Sequence, residues 1–142
     1  MSSPVAWITG ASRGIGQACA LALAQSGYDI AIAGVSEPKD TLVRVKALGR
    51  EAWSTISDVS QPGNHGPVLE SIRKQFGRLN VLVNNAAATP RQRLETPEGI
   101  EVQWATNVLG YFWMIHAFRE RLIESTPARV VNVASYWAGN LD

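Results

Sequence analysis

Short apolar runs alternate with longer amphipathic segments from Val5 to Ala134, and no repeat or low-complexity tract interrupts them. Short runs of β-branched and small apolar residues suit strands of a parallel sheet covered on both faces, and the longer segments suit helices. The pattern predicts strands over Val5–Thr9, Asp29–Gly34, Ala52–Ile56, Leu79–Val83 and Arg129–Ala134. Helices are predicted between them, over about Gly14–Ser26, Pro38–Leu48, Pro62–Phe76 and Pro97–Glu124. Gly27, Gly49 and Gly77 stand where the first three helices should stop. Thr96-Pro97 offers the fourth a capping hydroxyl followed by a proline whose missing N–H costs nothing there. Right-handed crossovers then give an α/β fold, a doubly wound parallel sheet of about five strands in the order 3-2-1-4-5.

The chain has 142 residues, 46% of them apolar, enough for one core and too few for two comfortable domains. One domain over residues 1–142 is expected. A net charge of +1 and a pI near 7.9 supply no field that would favour nucleic acid or an anionic membrane, and the thirteen basic residues are dispersed along the chain. The single cysteine, Cys19, excludes an intrachain disulfide or a multi-cysteine metal site and is expected to pack as a small apolar residue. The start of the chain lacks a signal-peptide pattern and no run is long enough to cross a bilayer, so a soluble, cytoplasmic protein is expected.

Chemistry enters at the end of the first predicted strand, with TGASRGIG. Glycines at 10, 14 and 16 let the backbone pass close to a pyrophosphate, and the helix that follows presents unpaired N–H groups and a positive dipole end. The Thr-Gly-x3-Gly-x-Gly spacing resembles the short-chain dehydrogenase/reductase family, whose fold is Rossmann-like. SDVS at 57–60, NNAA at 84–87, NVLG at 107–110 and VVNVAS at 130–135 match that family's pattern in order, so the resemblance covers nearly the whole chain.

The resemblance implies a nicotinamide cofactor held by Thr9, Gly10, Ser12, Arg13, Gly14, Ile15 and Gly16. It adds Asp58 and Val59 beside the adenine, Asn84, Asn85 and Ala86 in the segment that steadies the central sheet beside the cofactor, and then Ala87, whose methyl stands toward the cofactor ribose where the family usually has glycine. Asn107 resembles the helix asparagine that holds a proton-relay water, and Ser135 the serine that bonds a substrate carbonyl. Both also have plainer readings, an amide on a neighbouring carbonyl and a turn-capping hydroxyl.

At the end of the second strand an acid would favour NAD and a nearby arginine NADP. Gly34 and Val35 occupy those places, so neither rule applies directly. Arg13 with Ser36, and with Lys39 behind them, can gather a 2′-phosphate, which makes NADP the expected cofactor over NAD; Glu37 argues the other way.

The family's chemistry is hydride transfer between nicotinamide and a carbonyl or alcohol, with a Tyr-x-x-x-Lys pair downstream of the serine. An unassisted phenol is only about 0.1% ionised at neutral pH. Four residues after Tyr28, Tyr111 and Tyr136 come Ile32, Ile115 and Asn140, and all three lysines precede the fourth predicted strand. The chain thus resembles a family member cut short before that motif, with Tyr136 a weak surrogate. Two readings stay open: an impaired oxidoreductase acting on a small carbonyl or alcohol, and a non-catalytic dinucleotide-binding module. The fifth strand is expected to be an open edge beside a helix carrying Trp104, Val108, Phe112, Ile115 and Phe118, which predicts a homo-oligomer joined there.

Overall fold

The computed structural model describes residues 2–135. Five strands form one parallel sheet in the expected order: β1 (Val5–Thr9), β2 (Asp29–Gly34), β3 (Ala52–Ile56), β4 (Val81–Asn84) and β5 (Arg129–Asn132), arranged β3-β2-β1-β4-β5. The helices are α1 (Gly14–Gln25), α2 (Lys39–Ala47), α3 (His65–Phe76), the short α4 (Val102–Trp104) and α5 (Gly110–Glu124).

Alternation along the strands sends side chains to two cores. Ala6 and Ile8 of β1, with Ile30 and Ile32 of β2, pack beneath α1 and α2, where Ala20, Ala24 and Val45 meet them. Trp7, Ala31 and Ala33 face the other way, toward Ile72 of α3 and Met114 and Phe118 of α5. The small Ala31 and Ala33 leave room for Trp7, whose indole lies 6.5 Å from Trp53 and 6.1 Å from Phe118. Cys19 is half-buried against the first of these cores, the apolar role expected of it.

Several boundaries differ from the sequence pattern. At the start of β4 the predicted Leu79 and Asn80 lie before the first register pair and are held by mixed contacts: Leu79 N donates to Ser125 Oγ at 3.0 Å, Val5 N to Asn80 Oδ1 at 3.1 Å, and Asn80 N to Val5 O at 2.9 Å. Asn80 Nδ2 also donates to the Ser125 carbonyl at 2.7 Å, and the register pairs of β4 with β1 begin at Val81. β5 stops at Asn132, not Ala134, because its partner β4 ends at Asn84. The third predicted helix is a 3-10 turn, Pro62–Asn64, leading into α3.

The fourth predicted helix is revised most. Thr96-Pro97 does not start it: Thr96 N donates to Ile100 O at 2.7 Å and Ile100 N to Thr96 Oγ1 at 3.3 Å, closing a tight turn. The cap is Glu101, whose two carboxylate oxygens accept from Gln103 N and Trp104 N, each at 2.8 Å. A π-helical stretch, Ala105–Leu109, then separates α4 from α5. The expected aromatic stripe also divides. Phe118 is in the core, whereas Phe112 is 64% exposed, since six residues at about 100° each carry it roughly 120° around the helix.

Candidate dinucleotide site

Gly10 ends β1 with φ of +69°, and its N–H donates to Ala33 O at 2.7 Å, so the turn leaves the sheet sharply between β1 and β2. A side chain there would strain the left-handed backbone and bring a Cβ 2.9 Å from Ala86 Cα. Gly16 is needed for a different reason. A Cβ on it would collide with Gly10 O and come 2.5 Å from Asn85 Nδ2.

The turn is stitched to the segment after β4. Thr9 Oγ1 accepts from Asn85 N and Ala86 N, both at 3.0 Å, while Asn85 Nδ2 donates to Thr9 O at 3.1 Å and Gly10 O at 3.0 Å. These bonds are made across more than seventy residues, and they fix two loops that local sequence leaves independent. The first turn of α1 has no acidic residue, and its N-cap, Arg13, makes no side-chain cap. Its terminal amides therefore have no acidic side chain from that turn beside them. Arg13 and Ile15 are exposed and Ser12 half-buried.

Beside the turn lies a cavity of about 390 Å³. Gly10, Gly34 and Val35 line one part, Asp58 and Val59 another, and Ala86, Ala87, Thr96 and Thr106 the rest. Asp58 Oδ1 accepts from Ser60 N at 2.9 Å and its carbonyl from Asn64 Nδ2 at 3.2 Å, which holds the wall in shape. Val59 is buried, and its carbonyl would meet a Cβ on Gly110 at 3.0 Å, so the glycine of NVLG lets α5 approach the cavity wall. The added methyl of Ala87 is exposed at the cavity.

The residues of the glycine turn, the Asp58–Val59 pair and the Asn85–Ala87 segment are thus brought together around the turn and cavity. Ser36 is exposed on the loop after β2. Asn107 sits in the π stretch, and its amide takes both main-chain groups of Ala88: Oδ1 accepts from Ala88 N at 2.8 Å and Nδ2 donates to Ala88 O at 3.0 Å. The helix asparagine is thereby tied to the segment that carries Ala86 and Ala87. Ser135 lies exposed beyond β5, and Tyr136 falls outside the described residues.

Sequence reasoning missed two polar contacts on the β5 side. Asn84 Nδ2 donates to Asn132 Oδ1 at 2.9 Å, joining the ends of β4 and β5. The Tyr111 hydroxyl donates to Val133 O at 3.3 Å, and burial pushes its pKa above the ordinary phenol value. That tyrosine is an anchor for the strand end, held protonated. The register of NNAA against VVNVAS was the only signal in the sequence for the first contact.

The short chain dehydrogenase family model matches residues 4–140. The chain is 32% identical over 140 residues to 2-dehydro-3-deoxy-D-gluconate 5-dehydrogenase of Dickeya dadantii, covering 95% of this chain and 54% of that protein. Its structure is similar to that of a 3-oxoacyl-[acyl-carrier protein] reductase from Brucella melitensis in complex with NAD, with a TM-score of 0.84 and 26% identity over 95% of this chain and 56% of the other. It is also similar to a metagenomic short-chain oxidoreductase in complex with NADP, at TM-score 0.83 and 28% identity, covering 93% and 62%. The chain spans about half the length of the first two proteins.

Proposed function

Because the chain belongs to the short chain dehydrogenase family, we propose that it binds a nicotinamide dinucleotide across Gly10–Gly16 and serves an oxidoreductase reaction between a carbonyl and an alcohol. The observation that carries this reading is the turn itself, held open by Thr9 and Asn85 and followed by uncapped α1 amides beside the Asp58–Val59 wall. A bound nicotinamide would supply or accept the hydride. The chain's own residues would place it: the turn and α1 start the pyrophosphate, Asp58 and Val59 the adenine, and Asn85 to Ala87 the ribose. Ser135 would donate a hydrogen bond to the substrate carbonyl, and Asn107 would steady the Ala88 segment and hold a relay water.

NADP is the preferred cofactor in this reading. Glu37, the one carboxylate on the loop after β2, is paired with Lys39 at 3.6 Å, whereas Arg13 has no ion pair among the described residues and can meet a 2′-phosphate. Both members of the Glu37–Lys39 pair are well exposed, so that pair is only a weak restraint. Apolar side chains exposed on α4, α5 and β5, such as Trp104, Phe112 and Val131, support a homo-oligomer joined there. The unpaired Cys19 suits the reducing cytoplasm. Among the described residues no helix is long and apolar enough to cross a membrane.

A second reading is a dinucleotide-binding module without turnover, for which the glycine turn and the Asp58–Val59 wall suffice. An NADPH titration with NADH in parallel, followed by energy transfer from the tryptophans, tests the binding shared by both readings. Saturation with tighter NADPH binding is expected; saturation by neither dinucleotide overturns both readings. Turnover of a carbonyl panel that is lost in Ser135→Ala would select the first, and binding without turnover the second.

A further inference from the structure

The most connected polar cluster outside the cavity joins the glycine turn to α2. Thr41 is fully buried, and its hydroxyl donates to Ala11 O at 2.7 Å, inside the turn. From the first part of α1, Gln17 Nε2 donates to Thr41 Oγ1 and to Asp40 Oδ2, each at 2.9 Å. Arg44 closes the set, 3.3 Å from Gln17 Oε1 and 3.7 Å from Asp40. A threonine and an aspartate on one helix are thus clasped to the turn and helix on which a pyrophosphate would sit.

We infer that Thr41 is a positioning residue for the ribose 2′ end of the dinucleotide and sets the discrimination between NADPH and NADH. This inference rests on the dinucleotide-binding reading above. The loop between β2 and α2 has two anchors. One is the buried end of β2; the other is the start of α2, where Leu42 N donates to the carbonyl of the buried Pro38 at 3.0 Å. Ser36, Glu37 and Lys39 are exposed around those anchors, as Arg13 is on the turn.

A 2′-phosphate would have to reach Arg13 on the turn and Ser36 or Lys39 on the loop together. Charge-assisted bonds of that kind depend steeply on the spacing of their donors. The spacing is fixed by whatever ties α2 to the turn, and that tie is the Thr41 hydroxyl with Gln17 behind it. A 2′-hydroxyl does not bridge the two sides, so NADH is far less sensitive to the gap.

The test uses Thr41→Val, which keeps the shape and removes the hydroxyl, Thr41→Ser, which returns it, and Gln17→Ala, at a half-exposed position. Dissociation constants for NADPH and NADH are measured on each with the whole chain. Thr41→Val should weaken NADPH about tenfold and NADH by less than about threefold, while Thr41→Ser stays within about twofold of the parent. Gln17→Ala should shift the NADPH/NADH ratio the same way by a smaller factor. Equal weakening of both dinucleotides by Thr41→Val, or no weakening of either, overturns the positioning role and leaves the binding reading standing. If Thr41→Val does not fold, Gln17→Ala decides, and an unchanged ratio overturns the role. A parent chain that binds neither dinucleotide overturns the binding reading itself and this inference with it.

Discussion

β1 and β5 are written in similar letters, VAWIT and RVVN, and lie on either side of β4 in the same parallel sheet, yet they have opposite environments. Every residue of β1 is buried, and every residue of β5 is exposed. The contrast is sharpest between register partners: Val83 of β4 is 2% exposed and Val131 of β5 is 45% exposed. A β-branched run therefore identifies a strand without saying what covers it. On the β1 side the covering helices, the glycine turn and the segment after β4 hold one another. On the β5 side, among the described residues, the β4 ladder, α5 and the Asn84–Asn132 and Tyr111–Val133 bonds reach across.

The largest effect that could break this contrast is expected at Gly16. In an ordinary helix Gly→Ala gains up to about 1 kcal/mol. Here the added methyl meets Gly10 O and Asn85 Nδ2, so Gly16→Ala should lose about 3 kcal/mol in urea unfolding and abolish nucleotide binding. A stabilised Gly16→Ala protein would show that the turn is not closed as described.

Next comes Asn85→Ala. It leaves the carbonyls of Thr9 and Gly10 without their side-chain donor and should cost about 2 kcal/mol. Unchanged stability would mean that the two loops hold their positions independently.

The register partners give a matched experiment. Val83→Thr buries a hydroxyl in the sheet centre and should cost about 1.5 kcal/mol, whereas Val131→Thr should stay within about 0.5 kcal/mol. Equal costs would indicate that β5 is covered in solution, as the proposed homo-oligomer requires, and sedimentation would then be expected to give more than a monomer.

The smallest effect concerns His65, at the start of α3. Both of its ring nitrogens are buried without a hydrogen-bond partner among the described residues, and desolvation lowers its pKa below the ordinary 6.5, with the main chain of Val59 partly opposing the shift. A depressed folded value means that the unfolded chain binds the proton first. The contribution is complete above 6.5 and is lost as pH falls through the lowered folded value. Lowering the pH from about 7.5 to about 5.5 should depress Tm by about 3 °C through this group, and His65→Phe should flatten that slope. The same slope in both proteins would assign the acid sensitivity to other residues.

Much of the site was legible as type and order. TGASRGIG, SDVS and NNAA stood in the sequence in the order in which they meet around the cavity, and Gly10 and Gly16 are glycines for reasons of closeness that the motif implies. Other features were not legible. The Thr96-Pro97 cap is a good local signal that lost to Glu101, because a turn closed by Thr96 and Ile100 used the chain first. Asn107, which the family pattern names, also ties its amide to the Ala88 main chain, a partner nineteen residues away that no spacing rule names. Thr41 carries no local sequence signal, being a single hydroxyl in a helix.

The sequence by itself determined the alternation of strand and helix and the position of the glycine turn, because periodicity and backbone freedom are local properties, and the crossover rule then gave the strand order. Only the tertiary structure decided which apolar strand is covered, which asparagine stitches β4 to the turn, and which threonine clasps α2 to it. Those are contacts between segments 19 to 77 residues apart, and their energies depend on the distances the whole fold imposes.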